Sequence, residues 1–145
     1  MKIHYGFALA LCLPFAAAGA QALPSYAVDA AGVTLSEFQW IKRPVLVFAD
    51  TDRDPSFIRQ MEMLATDPGA LSVRDVVVIV DTTPEPASLL RKRFHPRGFS
   101  LVLMDKDGET TLRKPLPWSA REISRAIDKF PNAREEELDR FPAGR

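Results

Sequence analysis

Hydrophobic residues occur along the chain in short runs that are separated by polar loops, the pattern of an α/β protein. Three runs contain few polar residues, so they predict strands that are buried on both faces of a sheet. They cover residues 44–48, 76–80 and 99–104. A polar turn ending at Gly108, a residue suited to left-handed backbone geometry, predicts a hairpin to a fourth strand at residues 109–113.

Three stretches carry apolar residues at helical spacing together with signals for a helix start. The first begins at Asp54 and Pro55, a capping carboxylate followed by a proline that fits the first helical turn. Its predicted buried face consists of Phe57, Ile58, Met61, Leu64 and Ala65. The second helix is predicted at residues 87–94. The third begins with an S-x-x-E capping box at residues 119–122 and ends where a proline follows Phe130.

The predicted element order is β-α-β-α-β-β-α, with a central mixed four-stranded sheet and flanking helices. Helices between the first three strands predict right-handed crossovers and parallel pairing there. The tight hairpin makes the last pair of strands antiparallel. A parallel unit followed by a hairpin and a helix is the order of a minimal thioredoxin-like fold.

The N-terminus has the three parts of a bacterial secretion signal. A short basic start at Lys2 and His4 precedes an apolar run over residues 6–18, and small residues follow in A-x-A order. We expect cleavage after Ala22, with Ala20 as the alternative, and a periplasmic or secreted mature protein. The apolar run is shorter than the roughly 20 residues that span a bilayer, so no membrane span is expected after cleavage.

The chain has one cysteine, and it lies inside the apolar run of the signal. Leu11 precedes Cys12 where a lipoprotein signal requires a small residue, which argues against lipidation. The mature chain is therefore expected to be cysteine-free, which excludes disulfides, thiolate nucleophiles and cysteine-ligated metals. The full chain has 19 basic and 19 acidic residues. It therefore has no excess of positive charge of the kind that would indicate nucleic acid or anionic lipid as a partner.

Three aspartates form the sharpest candidate site. Asp50, Asp52 and Asp54 alternate after the first predicted strand, at the edge where α/β sheets place their sites. A calcium loop requires a glycine next and a bidentate glutamate later, and the chain has Pro55 and Met61 there. A phosphatase-like aspartate nucleophile needs a lysine and further carboxylates on a larger scaffold. The plainest interpretation is an N-cap at Asp54 beside solvated carboxylates.

Other conspicuous residues fit ordinary structural roles. Asp105 and Asp107 belong to an Asp-x-Asp-Gly turn. Aspartates in such a turn usually hydrogen-bond its backbone rather than bind a cation. His95 has too few nitrogen or sulfur partners for a zinc site, so we interpret it as a helix-end residue. The basic patch around it suits an anion, an acidic partner or a solvated helix face, and it consists of Arg91, Lys92, Arg93 and Arg97. Trp40 and Trp118 are predicted to pack in the core or at its edge.

Three segments in order resemble a known family. They are FQWIKRPVLVFA at residues 38–49, GFSLVLMDKDG at 98–108 and IDKFP at 127–131. Their order and spacing resemble DUF4174, a domain of unknown function found in exported bacterial proteins. The resemblance covers about residues 36–137. It implies a thioredoxin-like domain outside the cytoplasm, and it implies no activity.

The sequence departs from thioredoxins proper at both halves of their thiol–disulfide site. The place of their redox pair, at the start of the helix after the first strand, is residues 51–55, which contain no sulfur. Their cis-proline precedes the third strand, and the matching residues 98–100 contain no proline. The fold therefore does not bring its usual chemistry with it.

These observations predict four segments: a signal peptide at 1–22, a lead-in at 23–37, the thioredoxin-like domain at 38–131 and a charged tail at 132–145. The predicted function is a non-catalytic exported domain that binds a protein or small ligand in the envelope, with no cofactor. An envelope protein is the partner that this location suggests. The alternatives are a cation-dependent or enzymatic module that uses the aspartate loop, and a structural accessory subunit marked by an exposed apolar patch.

Overall fold

The computed structural model describes residues 22–142, and a five-stranded mixed sheet forms its centre. The strands are β1 (Ala27–Asp29), β2 (Arg43–Phe48), β3 (Val76–Asp81), β4 (Ser100–Met104) and β5 (Thr110–Lys114). Their order across the sheet is β1-β3-β2-β4-β5. The α-helices are α1 (Pro55–Ala65), α2 (Pro68–Ser72), α3 (Leu89–Phe94), α4 (Ala120–Ile127) and α5 (Pro131–Arg140).

The strand directions correct one part of the predicted topology. β3 pairs in parallel with both β1 and β2, and β5 pairs antiparallel with β4 as the hairpin predicts. β4 pairs with β2 antiparallel, whereas the sequence predicted parallel pairing of the first three strands. The end of β3 and the start of β4 lie at the same end of the sheet, because Phe48 pairs with both Asp81 and Ser100. The connection between them therefore does not cross the sheet, and β4 runs in the opposite direction to β3.

The fifth strand, β1, is also a correction, since the predicted sheet has four strands and a lead-in without regular structure. Residues 27–29 are too short a run to show a sequence pattern, and they become a strand by pairing with β3, Ala27 beside Val78. Two short 3₁₀ helices follow, at Ala30–Gly32 and Leu35–Glu37. The lead-in therefore contributes one strand to the sheet and part of the layer that packs on one of its faces.

Both faces of the sheet are buried, as the unbroken apolar strands predict. All six residues of β2 are buried, and its side chains alternate between two clusters. Val45 and Val47 pack on the face covered by α1 and α4, together with Phe57, Leu64, Ile123 and Ile127. Leu46 and Phe48 pack on the other face, together with Ala30, Leu90 and Phe94.

Helix α1 begins at the predicted cap and buries a slightly different face. Asp54 accepts hydrogen bonds from the backbone N–H groups of Ser56 and Phe57, at 2.8 and 3.2 Å. Ile58 and Ala65 are exposed, contrary to the prediction, and Gln60 is fully buried. The Gln60 amide exchanges two hydrogen bonds with the backbone of Trp118, which joins α1 to the start of α4. Burial of Gln60 is favourable because both of its polar atoms are paired.

The segment after Phe130, predicted as a charged tail, forms a ten-residue helix, α5. No residue of α5 is fully buried, and Ala133 is its one side chain that packs against the core. Its first turn is anchored by the Asn132 backbone N–H, which donates to Asp105 at 3.2 Å.

Residues 1–21 of the predicted secretion signal, with the alternative cleavage site at Ala20, lie outside the described residues, as do residues 143–145. Within the described part of the chain, none of the helices combines the length and the hydrophobicity that a membrane span requires.

Candidate functional site

The ends of three central strands meet at one edge of the sheet. Phe48 at the end of β2 lies between Asp81 at the end of β3 and Ser100 at the start of β4. The segments that follow or precede these residues are the aspartate loop at 49–54, the loop at 82–88 and the loop at 95–99. This is the edge at which α/β sheets most often place functional groups.

A buried ion pair connects these segments. Arg91 of α3 and Asp81 are 7% and 5% exposed, and Arg91 Nε donates to Asp81 Oδ1 at 2.7 Å. Arg91 Nη2 donates to the backbone carbonyls of Asp81 and Ala49. The second carboxylate oxygen of Asp81 accepts from Ser88 Oγ at 2.5 Å. Because both charges are paired and hydrogen-bonded, this cluster holds the edge in place.

Burial of Arg91 corrects its assignment to a solvated basic patch, while Lys92, Arg93 and Arg97 are exposed as that patch predicts. The sequence did contain a signal for Arg91. It lies three residues before Phe94, on the same side of the helix as the apolar residues. Asp81 carried a signal too, because it directly follows a run of buried valines and isoleucine.

The three aspartates of the loop point to different partners. Asp54 caps α1, as predicted. Asp52 is exposed and accepts only from Thr51 Oγ1, at 3.2 Å. Asp50 is also exposed and lies 3.6 Å from Arg91 Nη1. Among residues 22–142, no group of three or more His, Cys, Asp or Glu side chains is arranged to hold a metal ion.

A cavity of about 390 Å³ opens beside this edge, between the loop that precedes β4 and the end of β5. We call it the cationic pocket, and its lining residues are His95, Arg97, Phe99, Ser100, Arg113, Lys114 and Pro115. The lining thus has three permanent positive charges, one imidazole and no carboxylate. Pattern analysis missed it because its basic residues come from segments far apart in sequence.

Arg113 is held in position within the cationic pocket. Its Nε donates to Ser100 Oγ at 3.1 Å, and its Nη1 donates to the Phe94 carbonyl at 2.8 Å. Lys114 Nζ lies 4.7 Å from the centre of the Trp118 ring, a cation–π contact. His95 ends α3 in the left-handed conformation, with φ of 46°, which confirms it as a helix-end residue.

A second charged cluster lies at the opposite end of the central strands, under α5. Arg43 and Asp105 are buried and paired at 3.0 Å, so Asp105 is more than a turn residue. Asp107 does fit turn chemistry, because it accepts from the Glu109 N–H at 2.9 Å. Glu136 of α5 lies 3.1 Å from Arg43 Nη2, although the orientation of the two groups does not complete a hydrogen bond. Lys106 Nζ bridges Glu136 and Asp75, at 2.9 and 2.8 Å.

These contacts shift three pKa values. Burial alone would raise the pKa of Glu136, but the hydrogen bond from Lys106 and the charge of Arg43 outweigh it and hold that pKa below 4.5. The hydrogen bond from Lys106 also lowers the pKa of Asp75. Burial would lower the pKa of Lys106, but its two carboxylate partners raise it above 10.5.

The two tryptophans differ in environment. Trp118 is half-buried and packs against the core, as predicted. Trp40 is 64% exposed, which corrects its assignment to core or edge packing. Its backbone has a φ of 64°, uncommon for a bulky residue, and its N–H donates to the Lys106 carbonyl at 2.7 Å. The turn is therefore held by the backbone, and the ring remains in solvent.

The family resemblance is confirmed. The sequence model of the family described as "Domain of unknown function (DUF4174)" matches residues 34–137, so this chain belongs to that family. No curated protein is similar enough in sequence to count as a relative.

Solved structures show the class of fold. A reduced 2-Cys peroxiredoxin from Plasmodium vivax superposes with a TM-score of 0.55 at 16% identity, covering 75% of this chain and 86% of the other. Prx1a from Plasmodium yoelii gives a TM-score of 0.51 at 17% identity, covering 78% and 84%. Both are thioredoxin-like, so this chain has a thioredoxin-like α/β fold. At these identities, the likeness extends to the fold alone.

Proposed function

We propose that this member of the DUF4174 family is a non-catalytic, exported thioredoxin-like domain that binds a small ligand in the bacterial envelope. The observation that carries the proposal is the cationic pocket. It adjoins the sheet edge at which this class of fold places functional groups, and its volume of about 390 Å³ is within the range of small-molecule sites.

The remaining charged groups at this edge support binding rather than catalysis. Arg91 and Asp81 are fully engaged with each other and with backbone carbonyls. Asp54 is engaged as a helix cap, and Ser100 Oγ accepts from Arg113. No histidine or carboxylate is hydrogen-bonded to Ser100 among the described residues, so nothing there would activate it as a nucleophile.

Export is supported by the sequence of residues 1–22, with its basic start, apolar run and A-x-A site. The full chain would be expressed in a bacterial host, and the mass of the protein in each cell fraction measured. We expect a processed form in the periplasm or medium that begins at Leu23, or at Gln21 if cleavage follows Ala20. Unprocessed protein in the cytoplasm would refute export.

Binding would be tested on the processed protein by NMR, with a panel of small neutral, cationic and anionic aromatic compounds. The expected result is that at least one class shifts the backbone resonances of residues 95–100 and 113–115 in a saturable manner. If none of the compounds shifts these resonances, or if all shifts lie elsewhere, the pocket is not a ligand site and the proposal fails.

A further inference from the structure

The cationic pocket concentrates positive charge in a chain that has equal numbers of basic and acidic residues. Elsewhere in residues 22–142, nine basic side chains have no carboxylate within ion-pair distance, and five do, namely Arg43, Arg74, Arg91, Lys106 and Arg140. Within residues 22–142, none of the three cations of the pocket has a carboxylate within ion-pair distance. The charges of Arg97 and Arg113 are therefore available to a ligand, whereas Lys114 Nζ lies over the Trp118 ring.

The pocket also differs from an ordinary solvated basic surface, because three separate segments converge on it. The loop after α3 provides His95 and Arg97, the start of β4 provides Ser100, and the end of β5 provides Arg113 and Lys114. A helix face rich in lysine and arginine would instead spread its charges over a convex surface. Here the charges line a concavity, where an anion contacts several of them at once.

Arg113 provides a donor that is already oriented. Two of its three guanidinium nitrogens are fixed by Ser100 and the Phe94 carbonyl, and Nη2 has no hydrogen-bond partner among the described residues. A guanidinium held in this way loses less conformational freedom when it binds an oxyanion than a mobile one does.

Two of the residues that line the pocket are apolar. Phe99 is half-buried and packs against the core, and Pro115 closes the side formed by the end of β5. An inorganic ion would leave these surfaces in water. A ligand with an apolar body attached to its charged group would cover them and gain from their removal from water.

We infer that the cationic pocket binds a small organic phosphate, with the phosphate group at Arg97 and Arg113, Lys114 as a further nearby charge, and an apolar body against Phe99 and Pro115. A phosphate monoester has about two negative charges at neutral pH and three acceptor oxygens, so it suits this concentration of cations better than a monovalent carboxylate. This inference rests on the proposed function, since it specifies the ligand class of the same pocket.

The test compares the affinities of phenyl phosphate, benzoate, inorganic phosphate and benzyl alcohol for the processed protein, by NMR titration. We expect phenyl phosphate to bind about tenfold more tightly than each of the other three, and increasing salt to weaken its binding. Benzoate of equal affinity would overturn the preference for phosphate. Inorganic phosphate of equal affinity would overturn the apolar contribution.

Failure of this inference can be told apart from failure of the proposed function. If benzyl alcohol binds as tightly as phenyl phosphate at the pocket, the proposed binding function stands and the anionic ligand is wrong. If none of the four probes and no compound of the wider panel binds there, both are wrong.

Variants locate the site. Arg97→Gln and Lys114→Gln each remove one charge, and neither side chain donates a hydrogen bond within the described residues, so both variants should fold. We expect Arg97→Gln to weaken phenyl phosphate binding about fivefold or more, and Lys114→Gln to weaken it less, because the Lys114 ammonium lies over Trp118. Arg121→Gln is the matched control, because Arg121 is an exposed cation on α4 outside the pocket. Equal affinity in Arg97→Gln, Lys114→Gln and Arg121→Gln would overturn the inference.

Discussion

At the level of single residues, the pairing of Arg91 with Asp81 has the largest structural consequence at the candidate site. The guanidinium reaches two carbonyls and one carboxylate, and these belong to β3 and to the start of the aspartate loop. Ser88 joins the same carboxylate from the following loop. Three segments of the sheet edge therefore depend on one buried pair of charges.

Removal of one partner should leave the other charge buried and uncompensated. We expect Asp81→Asn to lower the free energy of unfolding by about 3–5 kcal/mol, measured by urea denaturation. Asp52→Asn is the control, because Asp52 is exposed and should change stability by less than about 0.5 kcal/mol. An equally small effect of both substitutions would show that Arg91 is not held as described.

The arrangement of the aspartate loop gives a second prediction at this scale. Because Asp50, Asp52 and Asp54 face different partners, calcium or magnesium should not raise the melting temperature, and EDTA should not lower it. A ligand that binds the native state must raise the melting temperature, so a thermal melt detects such binding. An increase in melting temperature with calcium that Asp52→Ala abolishes would contradict this prediction and would make cation binding the leading candidate function.

Residue-level prediction succeeded where one local rule decides and failed where two rules compete. Asp54 was predicted as a cap because a carboxylate before a proline at a helix start has one obvious role. Arg91 lies at an apolar position of its helix, but its charge argued for solvent, and sequence cannot show that Asp81 is near enough to compensate. Trp40 was assigned to packing by its size, yet the turn that holds it needs only its backbone.

At the level of secondary structure, the cap of α1 is one of the helix-start signals that the sequence shows directly. Loss of its side-chain acceptor should leave two backbone N–H groups without an intramolecular partner. We expect Asp54→Ala to lower the free energy of unfolding by about 1 kcal/mol, and Asp54→Asn, which can still cap, to cost less. The measurement is urea denaturation, with Asp52→Ala as the control.

If Asp54→Ala is as stable as Asp52→Ala, the cap contributes nothing and the start of α1 is set by packing alone. If Asp54→Asn costs as much as Asp54→Ala, the carboxylate charge near the helix N-terminus matters more than the acceptor.

The elements that sequence analysis missed lack an internal signal. β1 has three residues and exists because β3 offers a free edge for pairing. The direction of β4 depends on the path of the preceding connection, and hydrophobic patterns contain no information on that path. α5 has no fully buried residue and shows no apolar stripe, and its position depends on distant residues, through the charge contacts of Glu136 and the packing of Ala133 against the core.

At the level of the whole molecule, the charged side chains at the two ends of the central strands differ in how far they are paired. At one end, the aspartate loop is exposed and the cationic pocket lies open without carboxylate partners. At the other end, Arg43, Asp105, Lys106 and Glu136 pair across β2, the hairpin and α5. The second cluster fastens the C-terminal helix to the sheet, and the first end is where we propose that a ligand binds.

Fastening by charges makes the attachment of α5 dependent on pH. The pKa values of Glu136 and Asp75 are lowered on folding, so in acid the folded protein binds fewer protons than the unfolded chain at these groups. Their contribution to stability is complete above their ordinary values of 4.5 and 3.8 and is lost as the pH falls through the lower folded values. Lys106, with a raised pKa, contributes below 10.5 and loses its contribution only at higher pH.

Glu136→Gln isolates the contribution of the carboxylate on α5. At pH 7 we expect it to lower the free energy of unfolding by about 1 kcal/mol, since the side chain is partly solvated. Toward pH 3 the difference from the original protein should shrink, because the contribution of the Glu136 carboxylate declines as the pH falls below 4.5 toward its lowered folded pKa. Glu135→Gln is the control, as Glu135 is an exposed neighbour on the same helix. Denaturation curves at the two pH values measure this, and a difference that stays constant with pH would show that α5 is held by contacts other than charge.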